Sequence, residues 1–159
     1  GSLNYDMDEV SINDIMEQTV QSMMLPFNEA GLELEFEYSQ KKPIVMIGDA
    51  DRLHQLFLNL MNNSQKYTNA PGKLIIKLSK QNKKVIILFE DTAPGVDEEE
   101  KNKIFEQFYR VENSRNRATG GRGLGLAICS NIVDGHQGTI SAYHSPDGGL
   151  GIRIEFPLN

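Results

Sequence analysis

Residues 73–90 read KLIIKLSKQNKKVIILFE, and this stretch decides the fold. Two aliphatic runs, 73–79 and 84–90, flank the polar segment 80–83. Apolar and β-branched residues on both sides of a short polar segment are typical of a β-hairpin. A hairpin in the middle of the chain argues against an architecture of strictly alternating strands and helices.

Upstream of this hairpin, the sequence predicts two helices with a strand between them. Apolar residues at helical spacing indicate a helix over residues 11–30, with a capping-box signal at Ser11 and Asp14. Residues 32–38 alternate apolar residues with glutamates, which is the period of a strand with one solvated face. After the short apolar run 44–47, Asp49 is placed to cap a second helix that runs to about residue 68.

Downstream of the hairpin, the sequence predicts further helices and a second hairpin. Asp97 and Glu100 form a capping signal for a short helix, and residues 110–123 show no periodicity, which indicates a loop. A helix over about 124–137 is followed by strand patterns at 138–145 and 150–156. Hairpins mixed with helices favour an α+β fold, a two-layer sandwich of about three helices on a mixed, mostly antiparallel sheet.

The composition excludes several classes of protein. The 159 residues suit one domain, and an apolar fraction of 39% without a long apolar run argues against membrane contact. The net charge of −6 argues against a nucleic-acid partner. The single cysteine, Cys129, excludes an internal disulfide and is expected in the core. Gly1 and Ser2 resemble the remnant of an expression tag, so residues 3–159 are expected to be one domain of a longer protein.

A glycine cluster marks a candidate phosphate site. Residues 119–126 read TGGRGLGL, and they overlap the end of a segment, 110–122, that contains four of the six arginines of this acidic chain. Glycine lets backbone N–H groups approach an anion, and the N-terminus of a following helix adds unpaired donors. A plain flexible turn is the alternative explanation of the glycines.

The second predicted helix carries a candidate metal and phosphate site. Gln55, Asn59, Asn63 and Lys66 form a polar stripe beside its apolar face. An amide oxygen at the border of a core can bind Mg²⁺ together with phosphate oxygens, and Lys66 lies one turn further on. An ordinary solvated helix face is the alternative.

Four segments together resemble the catalytic ATP-binding domain of bacterial sensor histidine kinases, members of the GHKL superfamily. In that family's order they are the N box (NLMNNSQKYT, 59–68), the G1 box (DTAPG, 91–95), the F box (IFEQFYR, 104–110) and the G2 box (GRGLGL, 121–126). Within the family, the chain is most similar to the envelope-stress and efflux-regulating kinases of the BaeS and AdeS type. The resemblance covers essentially the whole chain and implies a Bergerat ATP-binding fold that binds ATP and Mg²⁺.

The resemblance also implies roles for individual residues. Asp91 would accept a hydrogen bond from the adenine amino group, and Gly95 would let the loop pass close to the base. Asn63, assisted by Asn59, would hold Mg²⁺. The remaining implied residues are the phosphate ligands Lys66, Arg110 and Arg117, the nucleotide-packing Tyr67, and the lid residues Gly121, Arg122, Gly123, Leu124 and Gly125.

Three positions qualify this assignment. Ala93 stands where the G1 box usually carries glycine, which reduces backbone freedom there. Arg122 replaces a small residue of the G2 box and either contacts phosphate or points into solvent. Asn59 stands where hydrolytic relatives carry a glutamate that activates water, and an amide cannot act as that base. The site is therefore expected to transfer phosphate to an external nucleophile.

In the family, that nucleophile is a histidine on a separate dimerisation domain. His54, His136 and His144 lack the sequence context of an acceptor, so we expect structural roles for all three. The implied partners are the parent's histidine-bearing dimerisation domain and a response regulator, and the implied location is the cytoplasmic side of a bacterial inner-membrane protein. Two alternatives stay open: a stand-alone serine kinase of the anti-sigma-factor type, and a nucleotide-binding module without turnover.

Overall fold

The computed structural model describes residues 4–38, 40–92 and 120–158. Its helices are α1 (Ile12–Glu29), α2 (Ala50–Tyr67) and α3 (Gly120–Gly135). Its strands are β1 (Asp8–Ser11), β2 (Leu32–Tyr38), β3 (Val45–Gly48), β4 (Gly72–Gln81), β5 (Lys84–Thr92), β6 (Thr139–His144) and β7 (Gly148–Pro157). Among these helices, none is long and apolar enough to cross a membrane.

Five of the strands form one mixed sheet in the order β2-β4-β5-β7-β6, and β1 pairs with β3 in a separate two-stranded sheet. Strands β2 and β4 are parallel, while the other neighbouring pairs are antiparallel. The predicted hairpins are β4–β5 and β6–β7, and Asn82 adopts a positive φ of 57° in the turn of the first. The predicted α+β sandwich with a mostly antiparallel sheet is therefore confirmed.

The core lies between the helices and one face of the five-stranded sheet. Helix α2 buries the apolar stripe that its sequence predicts: Leu53, Leu56, Phe57, Leu60, Met61 and, as its polar member, Ser64. Phe57 packs against Phe89 of β5 with ring centroids 6.3 Å apart. Cys129 of α3 is fully buried, as predicted, and this burial raises the pKa of its thiol to about 12. Helices α2 and α3 thus pack against the sheet through their buried side chains.

Three local features differ from the sequence-based expectations. Strand β1 was not predicted, because its sequence DEVS is short and lacks an apolar alternation. Ser11 is the N-cap residue of α1, but its hydroxyl donates to Asn13 Oδ1 instead of capping the helix, since a neighbouring side chain competes for it. Helix α3 begins at Gly120 rather than Leu124, because packing of its later turns outweighs the low helix propensity of glycine.

Other predictions fall outside the described residues. These are the short helix expected after Asp97 and the part of the predicted loop before Gly120.

Candidate functional site

Asp91 lies where three elements meet: the end of β5, the start of β7 and the C-terminal half of α2. Its side chain is only 6% exposed. The hydroxyl of Ser64 on α2 donates to Asp91 Oδ2 at 3.1 Å, and the backbone N–H of Leu150 on β7 donates to Asp91 Oδ1 at 2.6 Å. Each carboxylate oxygen therefore has a donor from a different element, which fixes the orientation of the carboxylate.

Gly149 is required for this arrangement. A Cβ atom at this position would overlap both Asp91 Oδ1 and the Asp91 carbonyl group. Strand β7 can approach the carboxylate closely enough for the Leu150 hydrogen bond only because the preceding residue has no side chain.

The predicted polar residues of α2 follow one another along the helix beside Ser64. Asn59, Asn63 and Tyr67 are partly buried, and Lys66 is exposed. Position 63 lies four residues from 59 and from 67 and three residues from 66, so these positions share one side of the helix. The described residues contain no group of three or more His, Cys, Asp or Glu side chains that could hold a metal ion.

Thr68, the C-cap residue of α2, has a buried hydroxyl without a partner among the described residues. Its backbone N–H donates to the Ser64 carbonyl at 3.0 Å and closes α2. Its side chain is 7% exposed, and within the described part of the chain Oγ1 has no hydrogen-bond partner. A buried hydroxyl without a partner destabilises a fold, so it calls for a ligand or a water molecule.

The N-terminal end of α2 holds a second buried polar cluster. The backbone N–H of Asp49 donates to His136 Nε2 at 3.0 Å, and His136 Nδ1 donates to the Ile132 carbonyl at 2.8 Å. This pairing fixes a neutral imidazole, and burial lowers the pKa of His136. The carboxylate of Asp49 accepts from the N–H groups of Arg52 at 3.1 Å and Asp6 at 2.8 Å, as its predicted capping role requires.

The other two histidines lie on α2 and β6. His54 Nδ1 is hydrogen-bonded to Thr19 Oγ1 at 2.8 Å, between α2 and α1. His144 is exposed on β6. The contacts of His54 and His136 agree with the structural roles predicted for them: His54 links α2 to α1, and His136 links the end of α3 to the start of α2.

The chain belongs to the family of histidine kinase-, DNA gyrase B- and HSP90-like ATPases, whose family model matches residues 48–159. It is 47% identical over 158 residues to the signal transduction histidine-protein kinase BaeS of Escherichia coli (strain K12), which confirms the predicted similarity to that type. That alignment covers 99% of this chain and 33% of the relative. The chain thus spans about a third of the length of this curated relative.

Two solved structures of histidine kinases share the fold. The catalytic domain of ThkA, in a nucleotide-free form, is 26% identical with a TM-score of 0.78, and the match covers 96% of this chain and 97% of that one. Full-length ShkA in complex with AMPPNP is 28% identical with a TM-score of 0.78, and the match covers 99% of this chain and 32% of that one. The predicted Bergerat-type architecture is confirmed by these likenesses.

The structure brings together part of the predicted site. Ser64 of α2 donates to Asp91, and Asn59, Asn63, Lys66 and Tyr67 lie on the same helix. Gly95, Arg110 and Arg117 lie outside the described residues. For Gly121, Arg122, Gly123, Leu124 and Gly125, the structure describes the helical backbone of α3 alone.

Sequence reasoning missed the residues that hold Asp91. Ser64 falls on the buried face of α2, and a hydroxyl on an otherwise apolar stripe was the available signal. Asp91 lies 27 positions from Ser64 and 59 positions from Leu150 in the sequence, so only the fold reveals these pairs.

Proposed function

We propose that this domain binds ATP with Mg²⁺ and transfers the γ-phosphoryl group to a histidine on a separate dimerisation domain of a sensor histidine kinase. The observation that carries the proposal is the buried Asp91 carboxylate, oriented by Ser64 and Leu150. Membership of an ATPase family and the similarity to the histidine kinase BaeS support it. The similarity to ShkA, a histidine kinase solved in complex with AMPPNP, supports the choice of nucleotide.

In this proposal, Asp91 recognises the base. A carboxylate is an acceptor, and the exocyclic amino group of adenine is a donor that guanine does not present at the same position. Because Asp91 is buried and its carboxylate is held from two sides, it is already oriented before the nucleotide binds. Gly95 would let the adjoining loop approach the base, and Tyr67 would pack beside it.

The phosphates would lie between α2 and the start of α3. Asn63, with Asn59, would hold Mg²⁺ through amide oxygens, and the ion would neutralise charge on the phosphates. Helix α3 begins at Gly120, so the first-turn N–H groups of residues 120–123 are donors suited to an anion. The proposed cationic ligands are Lys66, Arg110 and Arg117, and the other residues of the lid are Gly121, Arg122, Gly123, Leu124 and Gly125.

The chemistry would be transfer rather than hydrolysis. Asn59 offers an amide where a general base would be needed to activate water, and an amide does not accept that proton. The domain's own residues would orient the triphosphate for in-line attack by an imidazole nitrogen of the other domain. The new bond would join that nitrogen to the γ-phosphorus, the bond to the bridging oxygen would break, and ADP would leave.

The same proposal covers the longer protein. The domain would lie on the cytoplasmic side of a bacterial inner-membrane kinase, and a response regulator would receive the phosphoryl group from the histidine. The matched length of the BaeS relative, 33%, leaves room for a sensor and a dimerisation domain in a parent of similar size.

Labelled ATP and Mg²⁺, with the parent's histidine-bearing domain supplied in trans, test the proposal. Asn63→Ala should reduce the labelling to background without lowering the melting temperature of the unliganded domain. Asn62→Ala is the matched control, because Asn62 is an exposed neighbour on the same helix. It should transfer label normally.

Other outcomes would contradict the proposal. Acid-stable label on a serine would indicate the serine kinase, since phosphohistidine is lost in acid. ATP binding without any transfer would indicate a nucleotide-binding module. Full transfer by Asn63→Ala would remove Asn63 from the metal role.

A further inference from the structure

The small sheet formed by β1 and β3 presents an apolar outer face. Side chains alternate along β3, so Met46 is buried while Val45 and Ile47 are 49% and 47% exposed. Met7, just before β1, is 41% exposed. These three account for most of the five large hydrophobic side chains that are exposed in the described part of the chain.

The three side chains belong to one cleft. Met7, Val45 and Ile47 line a cleft of about 420 Å³ whose other walls include Gln137 and Pro157. Its lining also includes His136, a neutral group in this fold. Scattered exposed apolar residues are normal, but several that share one concave surface are typical of an interaction site.

An acidic cleft adjoins the apolar one. It has a volume of about 450 Å³, and the exposed carboxylates of Asp6, Asp8 and Asp51 line it. Glu9, which lies opposite Ile47 in the sheet, lines both clefts. Among the described lining residues the only Lys or Arg is Arg52, whose guanidinium lies 5.5 Å from the centre of the Tyr5 ring.

We propose that this surface, the outer face of β1–β3 with its acidic rim, docks a protein segment that carries aliphatic side chains next to lysines or arginines. The aliphatic side chains would cover Met7, Val45 and Ile47, and one cation would meet Glu9, which pairs with Ile47 and shares its face. Asp8 pairs with Gly48 and lies on the other side of the small sheet, so further cations would reach Asp8 and Asp6 past Glu9, which lines both clefts. The acidic rim repels phosphate-bearing surfaces, so an anionic membrane or a nucleic acid fits poorly. The surface is independent of the proposed nucleotide site, because Asp49 and Ser64 lie about 22 Å apart along α2.

A short amphipathic leucine–lysine peptide is the probe, and its leucine–glutamate counterpart is the charge control. We expect saturable NMR shifts of the methyl groups of Met7, Val45 and Ile47 with the lysine peptide, and none with the glutamate peptide. Ile47→Lys should weaken binding on the order of tenfold, since it removes apolar contact and adds like charge. Leu25→Lys is the matched control on α1, because Leu25 is also exposed, at 65%, and lies outside both clefts.

Leu25→Lys should leave the affinity for the peptide unchanged. Met7→Gln, which lies outside the strand, should weaken binding several-fold and serves as the test if Ile47→Lys lowers the melting temperature.

Four outcomes would overturn the inference. Equal binding of both peptides would indicate non-specific apolar adhesion, and methyl shifts elsewhere would place binding on another surface. A concentration-dependent dimer that Ile47→Lys abolishes would make a second copy the occupant. Co-sedimentation with vesicles rich in phosphatidylserine that Ile47→Lys abolishes would make a membrane the occupant.

Discussion

Helix α2 buries polar side chains at both of its ends, and the two ends use them differently. At the N-terminal end, Asp49 and His136 pair with each other and with backbone groups, so the helix cap and the imidazole are satisfied by the protein itself. At the C-terminal end, Ser64 orients Asp91, but Thr68 keeps a buried hydroxyl that no described group binds.

This difference separates a structural polar cluster from a candidate binding site. Burial alone does not do so, because His136 and Thr68 are 4% and 7% exposed, respectively. A buried network whose donors all have acceptors stabilises a fold, whereas an unpaired buried group destabilises it. We therefore expect substitutions at the first end to lower stability and substitutions at the second to lower ligand affinity.

The largest expected effect is on nucleotide affinity. Asp91→Asn keeps the side-chain size but places an amide donor among groups that donate to the carboxylate. It should weaken ATP binding about a hundredfold in titration calorimetry. Asp49→Ala is the matched acidic substitution at the other end. It should destabilise the domain by about 1 kcal/mol through the lost cap and leave the affinity within about twofold.

If Asp91→Asn and Asp49→Ala weakened ATP binding by similar factors, the two ends of α2 would not differ in function. Normal ATP binding by Asp91→Asn would remove Asp91 from base recognition.

Local sequence signals predicted the structural end of α2 better than the binding end. Asp49 precedes an apolar helical pattern, and a capping residue acts within three positions of itself. The apolar stripe of α2 and the two hairpins follow from periodicity for the same reason. These features depend on residues that are close together in the sequence, so the sequence alone predicts them.

The contacts that shape Asp91 are non-local and follow from the sheet order. Strand β7 lies beside β5 in the sheet, although 55 residues separate the end of one from the start of the other, so no window of sequence contains Leu150 with Asp91. The resemblance of residues 91–95 to the G1 box nevertheless predicted a role for Asp91, although it gave no information about the residues that contact it. The roles of Asn59, Asn63 and Lys66 stay predictions.

A second expected effect is a pH dependence that belongs to the structural end. Burial lowers the pKa of His136 from its ordinary value of 6.5, and the Ile132 carbonyl and Asp49 oppose this shift only in part. As the pH falls through about 6.5, His136 is protonated in the unfolded chain but stays neutral in the folded domain. The free energy of unfolding therefore falls on acidification. His136→Gln should cost about 1–2 kcal/mol at about pH 8, because it disturbs the hydrogen bond from Asp49.

The free-energy difference between wild type and His136→Gln should shrink as the pH falls below about 6.5, because only wild type loses stability there. Burial raises the pKa of the Asp49 carboxyl, but the N–H donors of Arg52, Asp6 and Asp51 together with the charge of Arg52 lower it more. The stability that Asp49 contributes is therefore lost only as the pH falls below the ordinary carboxyl value of 3.8. Urea denaturation at several pH values measures both effects. A constant difference between wild type and His136→Gln from pH 8 to pH 5 would show that His136 does not titrate as its burial requires.

The smallest expected effect compares two buried threonines. Thr68→Val replaces a hydroxyl that has no partner among the described residues by a methyl group of the same shape, so it should stabilise the unliganded domain by about 0.5–1 kcal/mol. Thr19→Val is the matched control, because the Thr19 hydroxyl donates to the Ile15 carbonyl and contacts His54 Nδ1. It should destabilise the domain by about 1–2 kcal/mol. Thermal unfolding measures both changes, and equal destabilisation by the two substitutions would mean that water already satisfies Thr68.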